Sequence, residues 1–129
     1  MMKQILTDNA PTPAGHYSQG MIHGNLVFVS GQLPIDPKTG DKCMGTLSEQ
    51  TRLVLQNVDA ILREAGSSLQ QTLKLTVYIP DIANWDEVNE AYSEMMGDHK
   101  PARAIVPTRE LHFGLGIEID AVAAVNETS

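Results

Sequence analysis

Two runs decide how the chain is read: Lys100-Pro-Ala-Arg-Ala-Ile-Val-Pro107, and Gly114-Leu-Gly-Ile-Glu-Ile-Asp-Ala-Val-Ala-Ala-Val125. Both have the short apolar character of strands, and each carries a charge. Arg103 heads the first run and Glu118 lies inside the second. A charge embedded in a strand that otherwise reads as buried costs free energy unless it is paired or put to use. Pro101 stops any helix from continuing into the first run. Glu118 alternates with Ile117 and Ile119, so it shares a strand face with Asp120.

Working back from these runs, Asn84 to Met95 predicts a helix with Trp85, Val88, Tyr92 and Met95 on one face, Asn84 and Glu87 forming a capping box, and Gly97 closing it. Leu73, Leu75, Val77 and Ile79 alternate with polar residues, which predicts a half-buried strand. Thr46 with Glu49 opens a longer helix. Leu47, Val54, Leu55, Val58, Ile61, Leu62 and Ala65 recur at helical spacing along it, and Gly66 ends it. Tyr17–Ile22 and Leu26–Val29, joined by His23-Gly24-Asn25, predict a hairpin. Residues 8–15 are turn formers and read as an extended lead-in.

The resulting order is strand-strand-helix-strand-helix-strand-strand in a single domain spanning residues 1–129. Two helices cannot cover both faces of such a sheet. The expected fold class is therefore α+β, a mixed β-sheet with both helices packed on one face. Leu26–Val29 and Ala121–Val125 are too apolar to leave in water, so further subunits are expected on the other face.

Composition excludes several classes. The net charge is -7 and no Lys/Arg run offsets it, which disfavours a nucleic-acid role. Cys43 is the only cysteine, too isolated for a zinc site and in keeping with a reducing compartment. No run approaches the roughly 20 apolar residues of a membrane helix, and no secretory signal is evident, so a cytoplasmic location is expected. There is no phosphate-binding loop, no GxGxxG and no GxSxG elbow. His16, His23, His99 and His112 match no zinc spacing. No metal is expected from this spacing.

Five polar positions remain as candidates: Arg103, Glu118, Tyr17, Ser30 and Asn89. A guanidinium at a strand entrance is suited to gripping a carboxylate through two parallel hydrogen bonds. It could equally form a salt bridge with Glu118, and Glu118 with Asp120 could simply be a solvated face. Tyr17 suits a ligand-facing hydroxyl or a half-buried core tyrosine, and Ser30-Gly31 suits a pocket rim or plain turn chemistry.

In order and at matching spacing, the chain carries Asn9-Ala10-Pro11, Gly15-His16-Tyr17-Ser18-Gln19-Gly20, Ser30-Gly31-Gln32, Asp36-Pro37-Lys38-Thr39-Gly40, Gln56-Asn57-Val58, Asn89-Glu90-Ala91-Tyr92, Pro101-Ala102-Arg103 and Ile117-Glu118-Ile119. Through these pieces it resembles the RidA/YjgF family of imine deaminases over nearly its whole length. The resemblance implies a chorismate-mutase-like α+β layer, a homotrimer with sites between subunits, and hydrolysis of reactive 2-imino acids to 2-oxo acids and ammonia without a cofactor. It implies that Arg103 binds the substrate carboxylate with help from the backbone of Ile105, and that Glu118 orients the attacking water. Tyr17 would cover the substrate, and Ser30, Gly31 and Asn89 would complete the wall.

Some positions depart from the family pattern. His16 stands for the usual Pro and Ile105 for a smaller residue. Gly97–Lys100 is a shorter approach to Pro101, and His112-Phe113 replaces a Pro-containing segment. These mark a divergent subgroup. They keep two alternatives open, a non-catalytic 2-oxo-acid-binding trimer and a deaminase of a larger aminated catabolic intermediate. A ribonuclease is disfavoured by the charge.

Overall fold

The run Glu118–Ala124 becomes a central strand, with neighbours on both sides and side chains that alternate between half-buried and buried. In the computed structural model, which describes residues 2–126, six strands form one sheet. They are β1 (Met2–Ile5), β2 (Gly20–His23), β3 (Leu26–Gln32), β4 (Thr72–Ile79), β5 (Ala102–Pro107) and β6 (Glu118–Ala124), in spatial order β1-β2-β3-β6-β4-β5. Every pairing is antiparallel except β4 with β5. A parallel pair needs a crossover, and helix α2 (Trp85–Met96) supplies it. Helix α1 (Leu47–Glu64) packs on β3 and β6 and against α2. The expected mixed sheet with two helices is the observed architecture.

Register sorts the strand residues into two sets. Val27, Val29, Leu75, Val77, Ile79, Ile119, Ala121 and Ala123 are buried under α1 and α2. With Leu55, Ile61 and Leu62, all fully buried, they form the core; each Val, Leu or Ile side chain among them contributes ~1.5–3 kcal/mol by leaving water. The other face carries Met21, Phe28 and Val122 in one cross-strand row, and no element among the described residues covers it. Phe28 is 47% exposed.

The helix ends show which local signals won. The Thr46 hydroxyl accepts from the Glu49 N–H at 3.1 Å and donates to the Glu49 carboxylate at 3.2 Å. Gly66 takes φ 83°, the left-handed conformation that ends α1 cheaply. The capping box expected at Asn84 does not form. Asn84 already sits in helical turn geometry at the end of a 3-10 turn, so Asp81 takes over as acceptor for the Ala83 N–H, at 3.0 Å. Glu87 reaches instead to the first turn of α1, where it accepts from the Ser48 N–H at 2.9 Å and from the Ser48 hydroxyl at 3.2 Å. A carboxylate is favoured there by the free N–H groups and the helix dipole.

Two further differences lie near the N-terminus. Met2–Ile5 buries only Ile5, and pairing with β2 makes it β1. The strand expected from Tyr17 starts only at Gly20. Residues 17–19 are instead held by Ser30, whose N–H donates to the Gln19 carbonyl at 2.9 Å and whose hydroxyl donates to the Ser18 carbonyl at 2.7 Å.

Candidate functional site

β5 is an edge strand in parallel register with β4, pairing Arg103 with Leu75 and Ile105 with Val77. Leu75 and Val77 face the helices, so Arg103 and Ile105 do too. Ile105 is half-buried and packs against the core. Near the sheet edge, the Arg103 guanidinium meets α2. Its Nη1 donates to the Asn89 side-chain carbonyl at 2.9 Å, and its central carbon lies 4.8 Å from the centre of the Tyr92 ring. One N–H is thus committed and one face stacked, a geometry that fixes the fork and leaves other N–H groups available. No carboxylate among the described residues lies within salt-bridge distance of Arg103. The Tyr92 ring is buried, its hydroxyl has no hydrogen-bond partner among the described residues, and burial pushes its pKa up.

Glu118 lies on the opposite face. In the β4–β6 register it stands across from Tyr78, and Asp120 across from Thr76. The salt bridge between Arg103 and Glu118 does not form, because the sheet separates the two side chains. Burial pushes the Glu118 carboxyl above its ordinary pKa and Asp120 adds to the shift, while nearby His112 counters it. Asp120 accepts a hydrogen bond from the Tyr78 hydroxyl at 3.0 Å, which leaves Glu118 as the strand's uncommitted acid. Gly31 sits where β3 departs from regular register, directly against Glu118. A Cβ on Gly31 would lie 2.3 Å from Glu118 Oε2, so only the missing side chain lets the carboxylate occupy this position.

Ser30 lies on this same open face, near Tyr17. Tyr17 is 50% exposed and its hydroxyl accepts from the Ala14 N–H at 3.3 Å. The segment that carries it is tied down by Gln19, which is 1% exposed. The Gln19 amide accepts from the Thr7 N–H at 2.6 Å and donates to the carbonyls of Thr7, Ala10 and Pro11 at 3.0, 3.2 and 2.8 Å. Gln19 stood in the sequence only as part of a motif. Its signal is an amide in a Pro-rich turn, where orphan backbone groups need a partner.

The candidate residues therefore fall into two groups. Arg103, Asn89 and Ile105 form one, on the helix side of the edge strand. Glu118, Gly31, Ser30 and Tyr17 form the other, on the open face. Among the described residues no group of three or more His, Cys, Asp or Glu side chains could hold a metal ion, and no helix is long and apolar enough to cross a membrane.

The profile of the family described as endoribonuclease L-PSP matches residues 7–125. The chain belongs to the L-PSP family. It is 47% identical to a RutC family protein of Pyrococcus horikoshii, over 95% of this chain and 98% of that one. It is 40% identical to a 2-iminobutanoate/2-iminopropanoate deaminase of Salmonella typhimurium, again over 95% and 98%. A crystal structure of a protein from Thermotoga maritima, described as a possible endoribonuclease, superposes with a TM-score of 0.94 at 44% identity, covering 98% of this chain and all of that one. The resemblance to RidA/YjgF proteins read from the motifs is borne out. The names within the L-PSP family differ in activity, and an imino-acid deaminase is among them.

Proposed function

We propose that this L-PSP family protein hydrolyses small 2-imino acids to 2-oxo acids and ammonia, in a cyclic homotrimer that completes each site between two subunits. The observation that carries the reading is the division of the candidate residues between two faces. One face offers a fixed guanidinium with free N–H groups, the other an uncommitted acid against a glycine. Each is half of a site for an α-imino carboxylate. A head-to-tail contact that joins one chain's first half to its neighbour's second half closes into a ring and buries the Met21–Phe28–Val122 row.

In this arrangement Arg103 clamps the substrate carboxylate beside the Ile105 backbone, with Asn89 holding the guanidinium in place. Glu118 accepts a proton from water as the water oxygen bonds to the imine carbon, giving a carbinolamine. Glu118 returns that proton to the carbinolamine nitrogen, the C–N bond breaks with its electron pair going to nitrogen, and the hydroxyl proton passes to the departing ammonia, leaving the 2-oxo acid. One water is consumed per imine. The imine carbon is already electrophilic, so clamping, water positioning and proton transfer are sufficient chemistry. The net charge of -7 weighs against RNA as substrate.

The experiment follows 2-oxo-acid and ammonia release from freshly generated 2-iminopropanoate. Wild type is expected to be active and Arg103→Ala strongly impaired. Full activity of Arg103→Ala sinks the clamp, and an inert wild type removes the substrate class. Co-assembly of Arg103→Ala with Glu118→Gln should restore activity at about one quarter of the sites by random assortment in a ring. No restoration refutes the shared site.

A further inference from the structure

The short Gly97–Lys100 segment belongs to neither half of the catalytic reading, yet it is firmly built. Gly97 turns the chain at φ 62° and its N–H donates to the Ser93 carbonyl at 3.0 Å. The His99 N–H donates to the Met96 carbonyl at 3.3 Å, and its ring Nε2 bonds the Thr72 carbonyl at 2.8 Å. A carbonyl only accepts, so the His99 Nε2 is the donor. Pro101 then stiffens the entry to β5.

This segment forms one wall of a cavity of about 440 Å³ whose other walls include Asn89, Tyr92 and Arg103. Cavities of ~300–1,000 Å³ are those that take drug-sized ligands. In the single chain, a six-heavy-atom imino acid on Arg103 leaves most of this space unfilled. The chain has sixteen acids and nine Lys and Arg residues, yet two of those nine, Lys100 and Arg103, line the cavity and no acid among the described residues does. Neither pairs with a carboxylate among the described residues. The buried Tyr92 hydroxyl without a partner adds an unspent polar group to the same wall, and groups of this kind are rare in folded proteins.

We infer that the cavity between α2 and β5 is a second anion subsite, and that this protein prefers 2-imino and 2-oxo acids carrying a distal carboxylate, which Lys100 binds while Arg103 holds the first. This rests on the proposed role of Arg103 as the carboxylate clamp. An exposed ammonium lining the same cavity as a fixed guanidinium raises the local positive potential on an otherwise acidic surface, and a dianion is the small ligand that uses both charges.

Titration calorimetry of the assembled protein tests it with two stable products, 2-oxobutanoate and the dicarboxylic 2-oxoglutarate. Wild type should bind 2-oxoglutarate about tenfold more tightly, the gain of one charge-assisted hydrogen bond. Lys100→Gln should lose that preference and leave 2-oxobutanoate affinity unchanged, whereas Lys100→Arg should keep it. Equal binding of the two acids by wild type, or a preference that survives Lys100→Gln, overturns the second subsite and leaves the clamp standing. If neither acid binds, the clamp itself falls, and the subsite with it.

Discussion

Gly31→Ala separates the role of Glu118 from the stability of the fold. The added Cβ would lie 2.3 Å from Glu118 Oε2 and 3.1 Å from its carboxyl carbon. Contacts under 3.0 Å essentially never occur for real Cβ atoms, so the carboxylate must retreat by at least about 0.7 Å. The clash is with the far end of a half-exposed flexible side chain, so the retreat costs the fold little. Gly31 has no left-handed backbone angle, and Gly→Ala at a compatible position gains ~0.4–1 kcal/mol by restricting the unfolded chain. Thermal stability should therefore hold or rise slightly. A misplacement of about 1 Å at a reacting group can cost ~10²-fold in rate, close to 2.7 kcal/mol of transition-state stabilisation.

The assay is kcat/KM for freshly generated 2-iminopropanoate, alongside a melting curve. Gly45→Ala is the control. Its Cβ would meet the Glu49 carboxylate at 2.6 Å, a similar collision at the start of α1, and it should leave activity unchanged. Unchanged kcat/KM in a folded Gly31→Ala protein would remove Glu118 from the chemistry. A melting temperature lowered by many degrees would show that the clash is not relieved by the side chain.

Four further outcomes follow from the same structure. Phe28→Glu places a charge in the exposed Met21–Phe28–Val122 row, and light scattering should show monomers with retained helix content and lost activity; an intact assembly would contradict a packed open face. Glu118 has its folded pKa raised by burial, so the folded state holds its proton more tightly than the unfolded one. That stability is present below the unfolded pKa and is lost as pH rises through the folded pKa. Glu118→Gln should therefore melt higher than wild type at neutral pH, with the difference closing in acid, and a gap independent of pH would refute the burial effect. The acid limb of the wild-type kcat/KM profile should correspondingly lie above the ordinary glutamate range. Thr46→Ala removes the cap of α1 and should cost about 1 kcal/mol in denaturant unfolding, with no change in m-value; no loss would mean that Glu49 and the helix dipole suffice alone.

The sequence by itself determined those features whose physics is local. Period-two alternation marked β4 and β6, helical spacing marked α1 and α2, and Gly66 and Gly97 marked helix ends, because these signals depend only on residues a few positions apart. The charges at Arg103 and Glu118 were visible as anomalies for the same reason. Alternation also placed Glu118 and Asp120 on one face. What it could not supply was the relation between elements. β1 exists only because β2 lies beside it, and Asn84 lost its cap role to Asp81 through a turn that no pattern announced. Glu87 serves α1 across a helix pair, Gln19 anchors a loop from a buried position, and Gly31 matters because a carboxylate from another strand fills its missing side chain. Above all, the sequence left Arg103 and Glu118 equally open to pairing with each other. Register alone decided against it. The parallel pairing of β5 with β4 turned Arg103 toward α2, and the antiparallel pairing of β6 turned Glu118 to the open face. Sheet parity is set by which residues face each other across strands, and that is fixed only when the whole sheet assembles.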